Sequence, residues 1–161
     1  MRAKRSLGQN FLVDRAVVSR ILDLAGAEEG ARILEIGPGR GALTEELVAR
    51  GTDCVALEKD DILAPALVER FGAGLRVIHG DALHADLSGA ELEGRTVLGN
   101  LPYNIAVPIL GRLLTMEPPF PRLVLMFQRE VAERLTARHG SKQYGIPSLM
   151  VRISSSARLA L

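Results

Sequence analysis

Residues 31–60 read ARILEIGPGRGALTEELVARGTDCVALEKD, and the fold follows from their pattern. An apolar run with Ile33, Leu34 and Ile36 breaks at Gly37, Gly39 and Gly41. A helical pattern closed by Gly51 comes next, and a second apolar run extends from Cys54 to Glu58. Short apolar runs without polar alternation read as strands buried on both faces, and the glycines between them mark a tight turn into a helix. The same rhythm continues downstream. DILAPALVERFG predicts a helix, LRVIHGD and TVLGNLP two strands, NIAVPILGRLLTM a helix, PRLVLMFQ a strand and REVAERLTAR a helix. Upstream, Val17, Val18, Ile21, Leu22 and Leu24 recur at helical spacing behind Asp14, a suitable cap. IPSLMVRISSS predicts one more helix with Pro147 near its first turn, and ARLAL the start of a further strand. Pro65 fits its helix only near the first turn or at a kink. Strands alternating with helices give an open, doubly wound α/β sheet, parallel and covered on both faces. Such a sheet binds ligands at the carboxyl ends of its strands.

The 161 residues are the size of one domain with a sizeable core. No charge-free apolar stretch approaches the ~20 residues that cross a bilayer. The start MRAKRSLGQNFLVD is basic but lacks the apolar segment of a secretory signal, so a cytoplasmic location and no membrane partner are expected. Cys54 is the single cysteine, which excludes a disulfide within these residues, and it reads as a small core residue. No Cys/His spacing suggests a metal. The net charge of +1 does not announce a nucleic-acid binder. Its distribution lends some support to a phosphate-bearing partner: Arg2, Lys4 and Arg5 crowd the start, and Arg129, Arg134, Arg138 and Lys142 gather in one segment. Nothing implies an oligomer.

The turn EIGPGRG places glycines before a helix, where they allow positive φ and close approach of a ligand to the backbone. Gly37-x-Gly39-x-x-Ala42 also satisfies the degenerate dinucleotide fingerprint, and Glu58 stands where an acid grips ribose hydroxyls in either case. Two details favour S-adenosylmethionine over a dinucleotide. Glu35, two residues before the turn, can anchor the loop or the cationic amino-acid end of such a ligand, whereas a pyrophosphate gains nothing from it. Asp81 in HGDAL ends the third strand, where it can accept from an adenine amino group while Ala82 and Leu83 pack near the ring; as a bare residue it reads equally well as a turn-former or cap. The stretch Asn100-Leu101-Pro102-Tyr103 is, taken alone, ordinary strand-to-helix punctuation.

Taken together, SLGQNFLVD, LEIGPGRGALTEEL, VALEKD, HGDAL, GNLPYNIAVPIL, MFQREVAERL and GSKQYG resemble the rRNA adenine dimethyltransferase family in their order and spacing. These enzymes use S-adenosylmethionine to dimethylate two adjacent adenines in a small-subunit rRNA hairpin. The resemblance covers nearly the whole chain. It implies a Rossmann-like class I methyltransferase sheet, S-adenosylmethionine as cofactor, and small-subunit rRNA or a pre-ribosomal particle as partner. Residues 1–12 would be a basic arm and cofactor-closing segment, with Gln9, Asn10 and Leu12 over the methionine part. Gly37 would touch the cofactor through its backbone, Glu58 hold the ribose, Asp81 read the adenine and Asn100 lie between cofactor and substrate. The catalytic set would be Asn100, Leu101, Pro102 and Tyr103. The Asn100 side-chain oxygen and the Leu101 carbonyl accept from the target amino group, Pro102 fixes the backbone, and Tyr103 gives the extruded base a stacking face. Phe127, Gln128 and Glu130 match a family segment but read as core and helix-surface residues, with Glu130 and Arg134 spaced for a helical ion pair.

Family members continue past ARLAL with a closing strand hairpin, a second aromatic for the target base and a small helical C-terminal domain. None of that sequence is present in these 161 residues. The chain is therefore expected to be the catalytic domain, truncated, binding cofactor while docking rRNA poorly. The large-subunit rRNA adenine methyltransferases of macrolide resistance share most of these motifs, although NLPYNIAVPIL and GSKQYGIPSLMV lie closer to the small-subunit group. A non-catalytic RNA-binding assembly factor would have no need of aimed acceptors at Asn100-Leu101-Pro102-Tyr103. An NAD-dependent oxidoreductase would rest on the glycine turn and Glu58 alone, with no partner set for hydride chemistry.

Overall fold

A five-stranded parallel sheet is the spine of the computed structural model, which describes residues 14–161. In chain order the elements are α1 (Arg15–Ala25), β1 (Arg32–Ile36), α2 (Ala42–Ala49), β2 (Asp53–Glu58), α3 (Leu63–Phe71), β3 (Arg76–His79), β4 (Thr96–Gly99), α4 (Tyr103–Leu114), β5 (Arg122–Leu125), α5 (Arg129–Leu135) and α6 (Ile146–Ser154). The spatial order β3-β2-β1-β4-β5 reverses between β1 and β4, and a crevice opens at such a point. Register brings Ile36 beside both Leu57 and Gly99, and Glu58 beside His79, so the strands end at one common rim.

Local chemistry sets the boundaries. The Asp14 carboxylate accepts from the Ala16 and Val17 amides at 2.9 and 3.4 Å and starts α1. Gly26 ends that helix at φ 66°, the left-handed conformation that relieves its last carbonyls. Pro65 and Pro147 both lie in first turns, of α3 and α6, where a missing N–H costs nothing. The five strands and the helices between them thus bear out the alternation read from the sequence. The further strand expected at ARLAL does not form: residues 157–161 are exposed without secondary structure, and β5 pairs with β4 alone. Ala, Arg and Leu favour helix over strand, and without β-branched or aromatic residues the segment has little to hold it on the free edge of β5.

Period two divides the core. Ile33, Cys54, Ala56 and Leu98 point toward α1, α2 and α3, while Leu34, Ile36, Val55, Leu57 and Val97 point toward α4 and the 82–92 segment. Burying each such aliphatic side chain contributes about 1.5–3 kcal/mol. Cys54 is an inert core residue, since burial pushes its thiol pKa far up. At the amino ends of the strands the buried Arg95 donates to the carbonyls of Ile33, Asp53 and Glu91 and to the Asp53 carboxylate, tying three strands together. A third cluster joins α4, α5 and α6 through Leu110, Leu135 and Val151. In α5 the ion pair links Arg129 to Glu133 at 2.9 Å rather than Glu130 to Arg134. No described helix is long and apolar enough to cross a membrane.

Candidate functional site

Four strand ends and the turns that follow them enclose one cleft. On the β1 side, Gly37, Gly39 and Gly41 take φ of 69°, 60° and 83°, values that an L side chain rarely adopts. The turn is held from the neighbouring strand. Glu58, buried at the end of β2, accepts from the Gly39 amide through Oε2 at 3.0 Å and from the Asp60 amide through Oε1 at 2.8 Å. The Gly37 amide donates to the Leu57 carbonyl at 2.9 Å. A phosphate-binding turn presents such amides to its ligand. Here the Gly39 amide is directed at a carboxylate, an arrangement that suits a ligand bearing hydroxyls rather than a pyrophosphate.

Beneath the turn lies Glu35, 1% exposed, accepting from the Thr44 hydroxyl of α2 at 2.7 Å. Burial pushes its carboxyl pKa up to about 7; the Thr44 hydrogen bond opposes the shift and the nearby Glu58 charge adds to it. The sequence suggested Glu35 as an anchor for the loop or for the cationic end of the ligand; the hydrogen bond to the loop comes from Glu58, while Glu35 bonds α2 and borders the cleft.

Asp81 stands just beyond β3 in a single helical turn. Its Oδ2 accepts from Lys59 Nζ at 2.7 Å and its Oδ1 from the Leu83 amide at 2.9 Å. The Lys59 hydrogen bond, backed by the Leu83 amide, holds the carboxyl below the usual range, so it is ionised at neutral pH. Asp81 therefore both forms the turn and faces the cleft.

Across the crevice, Asn100 follows β4 and borders the same cleft, together with Leu101, Pro102 and Asn104. Leu101 is buried, and a methyl group on Gly99 would meet its Cδ2 at 3.1 Å and the Ile36 carbonyl at 3.2 Å. Glycine at 99 is what lets this chain turn so close to β1. Pro102, at φ −56°, caps α4, and its carbonyl accepts the Ile105 and Ala106 amides at 3.1 Å each. Tyr103 opens the helix; its ring lies outside the described residues, as do Gln9, Asn10 and Leu12.

The ribosomal RNA adenine dimethylase family model matches residues 1–160. The chain belongs to this family. Among curated relatives, the ribosomal RNA small subunit methyltransferase A of Geobacter sulfurreducens is 48% identical over 95% of this chain and 58% of its own. That of Geobacillus thermodenitrificans is 42% identical over 98% of this chain and 57% of its own. The chain thus spans a little over half the length of these relatives. A solved dimethyladenosine transferase from Plasmodium falciparum superposes with a TM-score of 0.76 at 27% identity, covering 89% of this chain and 52% of that one. The 23S rRNA methyltransferase ErmE gives 0.67 at 31% identity, covering 81% of this chain and 53% of that one. The fold is accordingly the class I methyltransferase sheet.

The structure brings Gly37, Glu58, Asp81, Asn100, Leu101 and Pro102 to one cleft. Thr44, Lys59 and Asn104 escaped the sequence reading. Only Lys59 carried a signal there, being adjacent to Glu58. Among the described residues no cluster of His, Cys, Asp and Glu could hold a metal. Phe127 packs in the core and Gln128 precedes α5, as expected of them.

Proposed function

We propose that this chain is the cofactor-binding, catalytic part of a cytoplasmic small-subunit rRNA adenine N6,N6-dimethyltransferase that acts on rRNA during ribosome biogenesis. The observation that carries the reading is one cleft in which two carboxylates, Glu58 and Asp81, stand opposite Asn100-Leu101-Pro102. The residues fit S-adenosylmethionine. Glu58 lies where ribose hydroxyls would donate, Asp81 and the buried Ala82 where an adenine would lie, and Gly37 where a Cβ would be strained beside the ligand. Gln9, Asn10 and Leu12 would close over the methionine part.

The reaction follows from what the chain offers the target base. When bound, S-adenosylmethionine would supply an electrophilic methyl group for the adenine N6, with the carbon–sulfur electrons left on sulfur and the N6 proton released to water. Asn100 and the Leu101 carbonyl accept hydrogen bonds from the amino group and draw its lone pair out of the ring as positive charge develops. Pro102 holds Leu101 to extended conformations. Tyr103 would stack on the extruded base, a contact worth ~1–3 kcal/mol. The exposed Arg129, Arg134, Arg138 and Lys142 suit rRNA phosphates.

The curated relatives support the small subunit over the large-subunit alternative. The test is to incubate the protein with labelled S-adenosylmethionine and unmethylated small- or large-subunit particles and to map the label. Label on adjacent adenines of the small-subunit rRNA is expected, at low turnover from these 161 residues; label confined to the large subunit, or to positions other than adenine N6, contradicts the proposal.

A further inference from the structure

Arg112 lies in the last turn of α4, and its guanidinium reaches the turn that carries Asp81. Nη1 donates to the Ala82 carbonyl at 2.6 Å and Nη2 to the Ala85 carbonyl. The turn is one helical cycle that goes no further: the His84 and Ala85 amides return to the Asp81 carbonyl at 2.8 and 2.7 Å. Carbonyls at the end of an interrupted helix lack amide partners, and a cation suits them. A guanidinium offers its donors in a rigid fork, so it fixes the direction of two carbonyls at once, as an ammonium does not. The body of this segment is already packed on α4, because Ala82 and Leu87 share a core cluster with Ile109 and Leu113. What the fork adds is orientation. On its other side the same turn is held by Lys59, at 2.7 Å from Asp81.

We propose that Arg112 is a positioning residue for cofactor selectivity: by clamping the Ala82 and Ala85 carbonyls it keeps the Asp81 carboxylate aimed at a 6-amino purine in the cleft. The inference rests on the reading of Asp81 as the acceptor for the adenine amino group. Arg112 belongs to the helix that begins at Tyr103, so one element carries both the base-accepting end and the brace for the cofactor's ring.

The test compares the affinities of S-adenosylhomocysteine and S-inosylhomocysteine, in which a 6-oxo group replaces the 6-amino group, by calorimetric titration. The wild type is expected to prefer the amino compound about tenfold or more, and Asp81→Ala to abolish the preference. Arg112→Ala is expected to reduce it to about threefold or less while unfolding stays cooperative, and Arg112→Lys, which keeps the charge without the fork, to give an intermediate ratio. A merely structural role would weaken both ligands equally; a wild-type ratio in Arg112→Ala overturns the inference. Where Arg112→Ala does not fold, Arg112→Lys decides by the same criterion. If instead the wild type shows no preference, or Asp81→Ala keeps it, the reading of Asp81 fails, an outcome distinct from failure of the Arg112 inference.

Discussion

The two banks of the cleft are held by different forces. At the ends of β1, β2 and β3 the chain is fixed by hydrogen bonds to carboxylates: Glu58 to two backbone amides, Glu35 to Thr44, Asp81 to Lys59 and Leu83. At the end of β4 it is fixed by packing and by proline, with Leu101 wedged against Gly99 and Pro102 starting α4. The difference teaches what each bank must do. A ligand rich in hydroxyl and amino donors needs acceptors that are already oriented, which two backbone amides achieve for Glu58 and the Leu83 amide together with Lys59 for Asp81. A base that enters and leaves needs backbone acceptors in a rigid frame and an open approach.

Four substitutions test that contrast. Asn100→Ala should break the base-accepting bank alone: methyl transfer is expected to fall about 10²–10³-fold in kcat, while S-adenosylhomocysteine affinity, read by calorimetry, changes far less. Glu35→Gln probes the charge buried beneath the other bank. The carboxyl pKa is raised from its ordinary 4.5 to about 7, so its stabilising contribution is complete below 4.5 and is lost as pH rises to about 7. Between pH 5 and 8 the wild type should therefore lose about 3 kcal/mol that Glu35→Gln keeps, measured by denaturant unfolding at each pH. Glu58→Gln retains the shape but removes the ionised acceptor for the Gly39 and Asp60 amides. A stability loss of about 1–3 kcal/mol and a weakened cofactor titration are expected, with the pH dependence from Glu35 reduced. The smallest effect belongs to the open side. Ile153 on α6 is 76% exposed, so Ile153→Ser should change stability by less than about 0.5 kcal/mol while lowering any self-association seen by light scattering.

The sheet was legible because its central strands are buried on both faces and therefore apolar throughout, and the helices because Asp14, Gly51 and Pro147 punctuate them where a cap, a left-handed residue and a missing N–H fit. The strand order was not, since nothing in a buried apolar run names its neighbour. ARLAL misled because apolar residues suggested a strand where Ala, Arg and Leu carry little strand preference. Within the site, Gly37, Glu58 and Asp81 stood out as candidates by their place at strand ends, and Asn100 only through the family resemblance. Lys59 pairs with a carboxylate 22 positions away and Arg112 with carbonyls 30 and 27 positions away, partnerships that no local pattern records. Glu35 was noticed as an anchor for the loop or the ligand, but its partner Thr44 was not.

The central claim, that this cleft is built to take S-adenosylmethionine, is tested most directly by calorimetric titration of the folded chain with S-adenosylhomocysteine. One saturable site is expected, with an affinity about tenfold or more weaker in Asp81→Ala and weakened in Glu58→Gln. A folded wild-type sample that gives no binding heat, and no rise in unfolding temperature at millimolar ligand, would contradict it.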